Sequence, residues 1–138
     1  MTDISRSAMP LVPVSWGEVI DKITILEIKA ERIADAAALA NVARELAALN
    51  DVVAVQLGMT AGLNELRGQL RAINCALWEI EDAIREQERI GDYGPEFIRL
   101  ARAVYATNDE RARLKRAIND ATGSALVEEK SYVEWRAE

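Results

Sequence analysis

The chain has 138 residues, half of them apolar, and a formal net charge of -6. That is enough for one domain with a core and too little for two ordinary ones. The acidic balance leaves no overall footprint for nucleic acid or an anionic membrane surface. No run of about 18 apolar residues reads as a membrane span.

Histidine is absent and Cys75 is the single cysteine. Internal disulfides and thiolate or imidazole metal sites are therefore excluded, along with the commonest general base. Residues 1–60 hold 5 basic and 8 acidic groups; residues 61–138 hold 12 and 15, with both signs interspersed. Aromatics make up 5% of the chain, and the apolar share is mostly Ala, Leu, Ile and Val. This is helix-forming composition. The first residues lack the basic and apolar blocks of a secretion signal, so a cytoplasmic protein is expected.

Residues 1–14 read as an extended segment, because Pro10 and Pro13 bias their predecessors away from helix. Leu11, Val12 and Val14 are expected to lie on the body as a short strap. Ser15-Trp16-Gly17-Glu18 has the capping-box pattern, with Ser15 accepting from a free amide and Glu18 reaching back. Apolar residues at 19, 20, 23, 26, 30 and 33 then follow the helical period, with a second ridge at 25 and 28. So wide an apolar arc needs neighbours on two sides. Residues 34–38 allow either a tight turn at Asp35 or a continuous helix with a phase shift.

The next stripe is Leu39, Val42, Leu46, Leu49 and Val53. After Gly58, Leu63, Leu66, Leu70, Ile73, Leu77, Ile80 and Ile84 form an apolar heptad seam. A helix over 61–90 would be about 45 Å long. Segment 39–57, returning through a short turn, is its expected antiparallel mate. Gly91 to Pro95 is a loop. The last long helix runs to about Ala121 with the line Phe97, Leu100, Val104, Leu114 and Ile118, and Gly123 ends it. The tail, 123–138, is expected to dock through Leu126, Val127, Tyr132, Val133 and Trp135.

The predicted architecture is all-α. Three or four long antiparallel amphipathic helices, as a bundle or a coiled-coil hairpin, span 15–122 between an extended N-terminus and a docked tail.

The last helix breaks its stripe at Thr107 to Arg111. A polar group at core phase costs stability unless paired, so Arg111 needs a carboxylate, from Glu27 or Asp21, or an anionic ligand. Arg99, Arg102, Arg113 and Arg116 form a basic stripe. The acids at 79, 81, 82, 86 and 88 on the preceding helix are expected to neutralise its first part.

Glu18-x-x-Asp21 and Glu79-x-x-Asp82 resemble the magnesium-holding pairs of helical nucleoside-triphosphate pyrophosphohydrolases. The doubled glutamates of that pattern are missing, and the gap between the pairs is too long. Residues 63–90 also resemble the long first helix of all-helical chorismate mutases, with Arg67, Arg71 and Arg85 as substrate-binding candidates. Their spacing departs from that family's, and Asn74 replaces a usual acid.

Three stretches carry a broader resemblance: VSWGEVIDKITILEIKAERI, ARAVYATNDERARLKRAIN and GSALVEEKSY. They resemble a small family of bacterial all-helical proteins known only as a domain of unknown function. The likeness runs from Val14 to Tyr132. It rests on Gly17, Glu18, Asp21, Lys22, Glu27 and Lys29, then Asn108 to Arg111, then Glu129, Lys130 and Tyr132. It implies no activity, cofactor or catalytic residue.

The leading expectation is a helical interaction or scaffold module acting as a dimer or with a protein partner. Glu18, Asp21, Lys22, Asn108, Asp109, Arg111 and Lys130 are the candidate binding set, for a small anionic or sugar-like ligand or a peptide. No catalytic residue, metal ligand or cofactor is assigned. The alternative is an enzyme: a carboxylate-based, magnesium-dependent hydrolase, or a helical enzyme acting on a small anionic substrate.

Overall fold

The computed structural model describes residues 7–136. Four helices follow one another: α1 (Trp16–Arg32), α2 (Ala36–Gln56), α3 (Ala61–Ile90) and α4 (Pro95–Thr122). No strand occurs among the described residues. No helix there is long and apolar enough to cross a membrane.

Local chemistry sets the boundaries. Ser15, Asp35 and Thr60 cap α1, α2 and α3 by accepting from the backbone N–H three residues on. Each satisfies one of the helix's free donors. The Asp35 cap decides the open question at 34–38: α1 stops at Arg32 and a turn follows. Only half of the expected capping box forms. The Ser15 hydroxyl accepts from the Glu18 N–H, but the Glu18 carboxylate turns to Lys115. Pro95 opens α4 without a side-chain cap. Gly91 and Gly123 close α3 and α4 in the left-handed conformation, which glycine adopts without a Cβ penalty.

Helix α1 packs against all three others, α3 packs against α4, and α2 lies along α1. The wide apolar arc of α1 is the cause. Val19, Ile20, Ile23, Leu26 and Ile28 are all buried, and no single neighbour could cover them. This corrects the expected pairing of α2 with α3. The stripe of α2 faces α1, and Lys22 of α1 stands 3.4 Å from Glu45 of α2. Leu63, Leu70, Leu114 and Ile118 join α1 and Val53 in one core cluster. Each fully buried Leu or Ile contributes roughly 1.5–3 kcal/mol.

The core occupies one end of the bundle. Arg32, the last residue of α1, bonds Glu79. From Ile80 through Arg99 no residue is buried. Past that point α3 and α4 continue as a two-helix arm. Ile80, Ile84 and Phe97 are half-buried between them. Ile90, Tyr93 and Ile98 are exposed. The heptad seam is therefore split: its first half is core, its second half lies in the arm.

Two further expectations are corrected. Leu11, at 97% exposure, Val12 and Val14 do not lie on the body as a strap. The part of that segment before residue 7 lies outside the described residues, as do the last two residues of the tail. The acids of α3 also do not cross the hairpin to the α4 arginines. Arg99 pairs with Glu96 on its own helix, and Arg85 and Arg89 pair with Glu81 and Glu86. Bonding three or four residues along one helix needs less side-chain ordering than reaching across the pair.

Candidate functional site

The polar interruption in α4 meets a polar interruption in α1. Asp21 and Thr24 of α1 are fully buried. Arg111 Nε donates to Asp21 Oδ1 at 2.9 Å, and its Nη2 donates to Oδ2. This two-pronged pair is the strongest geometry available to arginine and a carboxylate. Asn74 of α3, also buried, donates from Nδ2 to Asp21 Oδ1 and to Thr24 Oγ1, each at 2.9 Å. Thr24 in turn donates to the Asp21 carbonyl at 2.8 Å. One carboxylate thus ties together α1, α3 and α4. The partner of Arg111 is thus Asp21, one of the two acids expected for it.

The register continues along the helix pair. Gly17, Glu18 and Asp21 of α1 face Asn119, Lys115 and Arg111 of α4, so the helices run antiparallel. Asn119 Oδ1 accepts from the Gly17 N–H at 2.7 Å. A Cβ at Gly17 would stand 2.5 Å from the Lys115 carbonyl oxygen, so glycine is what lets α4 approach. Lys115 Nζ donates to Glu18 Oε2 at 2.7 Å and to Glu128 Oε2 at 3.0 Å.

Glu128 belongs to the tail. It also takes Lys130 Nζ at 3.0 Å through Oε1. Arg116 holds Glu129, and Trp135 Nε1 donates to Asp109 Oδ2 at 2.7 Å. The tail therefore runs antiparallel along α4 and is held by polar bonds. Leu126, Val127, Tyr132 and Val133, expected to dock it, are exposed; Trp135 is the half-buried exception.

Electrostatics follow the bonds. The hydrogen bond to Asp21 raises the Arg111 guanidinium further above its ordinary value. Burial pushes Lys115 down, but its bonds to Glu18 and Glu128 outweigh it and leave the ammonium above the usual lysine value. Glu128 is held below the ordinary glutamate value, first by Lys115 and then by Lys130.

Of the expected set, Glu18, Asp21, Asn108, Asp109, Arg111 and Lys130 converge around α4 and the tail. Lys22 does not; it lies exposed beside α2. Sequence reasoning missed Lys115, Glu128, Asn74 and Asn119. A signal for two of them was present: Arg111, Lys115 and Asn119 recur every fourth residue, forming one ridge of a helix.

The site has open volume. A groove of about 550 Å³ runs between α4 and the tail, with Tyr105, Arg111, Lys130, Tyr132 and Trp135 on its walls. On the other flank of Arg111, a groove of about 520 Å³ is lined by Ile25, Asn74, Trp78 and Asn108. Among the described residues no three of His, Cys, Asp and Glu stand close enough to share a metal ion. Glu18 and Asp21 each hold a cation rather than facing one another. Arg67, Arg71 and Arg85 are likewise committed, to Glu27, Glu31 and Glu81.

The model of a family of unknown function, DUF6165, matches residues 11–135. The chain belongs to the DUF6165 family. The family region takes in every bond of this network, from the Ser15 cap to Trp135, so the network lies inside the DUF6165 domain rather than in an appendage. No curated protein and no solved structure matches the chain.

Proposed function

We propose that this DUF6165 protein is a helical interaction or scaffold module that acts as a dimer. The observation behind the reading is the arm from Ile80 to Arg99, where two helices run on without a third. Two helices cannot cover both their facing residues and Ile90, Tyr93 and Ile98. A second copy laying its arm across the first would bury the same residues on both chains, as a two-fold interface requires. The arm's charges favour this: Glu81–Arg85, Glu86–Arg89 and Glu96–Arg99 are paired locally, so two arms meet without a block of like charge.

Multi-angle light scattering at micromolar concentration tests the proposal. A dimer mass is expected for the wild type and a monomer mass for Ile98→Glu, with unchanged helical circular dichroism. A monomer mass for the wild type refutes dimerisation.

The competing reading is a carboxylate-based magnesium-dependent hydrolase, or another helical enzyme acting on a small anionic substrate. It has less behind it, because its best acids, Glu18 and Asp21, are already bonded to Lys115 and Arg111. Calorimetric titration with magnesium, expected to give no binding heat, separates the two.

A further inference from the structure

The groove between α4 and the tail lies apart from the outer face of the arm and concerns a different partner. Three of the chain's seven aromatic side chains, Tyr105, Tyr132 and Trp135, wall it, although aromatics are scarce elsewhere. Tyr105 and Trp135 stand with ring centroids 6.3 Å apart, tilted at 53°. They form an angled apolar platform, and the bond from Trp135 Nε1 to Asp109 pins one half of it. Tyr132 is 77% exposed, and in the tail it has no apolar cover.

Around this platform stand planar polar groups with unused capacity. The Asp21 fork consumes Nε and Nη2 of Arg111, and Nη1 makes no hydrogen bond among the described residues. The guanidinium is therefore fixed in place on the wall of the groove with Nη1 unspent. Asp109 spends Oδ2 on Trp135 and leaves Oδ1 free among the described residues. Asn108, exposed beside it, offers both a donor and an acceptor. Lys130 reaches the same space and lies 5.8 Å from the Tyr132 ring centroid.

Aromatic faces accept the C–H side of a sugar ring, and planar carboxylate, amide and guanidinium groups bond adjacent hydroxyls. The volume, about 550 Å³, is in the range of small-molecule sites. Arg111 and Lys130 call for negative charge. Asp109 and Glu128 beside them limit it to one group, so a polyanion such as a nucleoside triphosphate is disfavoured. The tail closes one wall, so a peptide would have to displace it.

We propose that the groove formed by α4 and the tail binds a monosaccharide carrying one anionic group, a carboxylate or a phosphate. Tyr105 and Trp135 hold the ring face, Asn108 and Asp109 the hydroxyls, and Arg111 with Lys130 the charge.

Isothermal calorimetry on the full chain, with glucuronic acid, glucose 6-phosphate, glucose and inorganic phosphate as probes, tests this. One or both anionic sugars are expected to bind with Kd of roughly 0.1–10 mM, the range a small exposed site reaches. Glucose and inorganic phosphate, each lacking one half of the recognition, are expected to bind at least about tenfold more weakly. Which anionic sugar binds decides between carboxylate and phosphate. Trp135→Ala and Lys130→Ala, both outside the core, are expected to weaken binding by roughly tenfold each at an unchanged melting temperature. The absence of saturable heat with both anionic sugars overturns the proposal. So does phosphate or glucose binding as tightly as they do, or affinity that survives both substitutions.

Discussion

The Asp21 carboxylate is fully buried, and its energetics turn on its partners. A buried ion pair is not in itself a source of stability, because desolvation offsets much of the attraction. Removing one member is different, since it strands the other charge. Arg111→Ala is therefore expected to destabilise the fold by about 3–5 kcal/mol, measured by urea denaturation. Asp109→Ala, on the same turn but exposed, should change stability by less than about 0.5 kcal/mol. A neutral Arg111→Ala would mean that the arginine is held for ligand binding alone. Gly17 is the second sensitive position. An added methyl meets the Lys115 carbonyl and the Asn119 side chain that bonds the Gly17 N–H. Gly17→Ala should cost about 1–3 kcal/mol in the same assay, the usual cost of overpacking, despite alanine's better helix propensity.

Among the elements, the tail is the one held by charge rather than by burial. Glu128 has a folded pKa below its ordinary value, so its contribution is fully present above about pH 4.3. That contribution is lost as the pH falls through the lowered value. Lys115 has a raised pKa, so its side of the pair persists from acid up to the ordinary lysine range and fades only above it. Tail docking should accordingly be constant near neutrality and weaken as the pH falls below about 4 and through the lowered Glu128 value. Acrylamide quenching that differs between wild type and Trp135→Phe reports this, because Trp135 rides on the tail. A tail that stays docked at pH 2 would show that the Trp135–Asp109 contact suffices without Glu128.

For the molecule as a whole, the division into a packed end and a bare arm governs behaviour. If the arm associates as proposed, the folded chain is stabilised by mass action and the melting temperature rises with protein concentration. Calorimetric scans across a hundredfold concentration range should show the rise in the wild type and its loss in Ile98→Glu. The bond network and the α4–tail groove lie to one side of the arm's exposed residues, so ligand binding and association should respond to separate substitutions.

Much of this was legible in the residues alone. Periodicity placed the long helices, and Ser15, Thr60, Gly91 and Gly123 marked their ends, because helix formation and capping depend on neighbours within a few positions. The break at Thr107 to Arg111 was visible for the same reason: a charge at core phase stands out against a local pattern. The family was legible in contiguous motifs and was found across residues 11–135. Which helix covers which was not local information. The turn after Gly58 made α3 look like the mate of α2, but the apolar arc of α1 competed for the same stripe and took it. The choice between Asp21 and Glu27 as the partner of Arg111 stayed open, because burial of a charge depends on what arrives from elsewhere. Arg111 and Asn74 come from 90 and 53 positions away. The identity of the polar break was thus written in α4, while its meaning was set by three helices and the tail converging on one carboxylate.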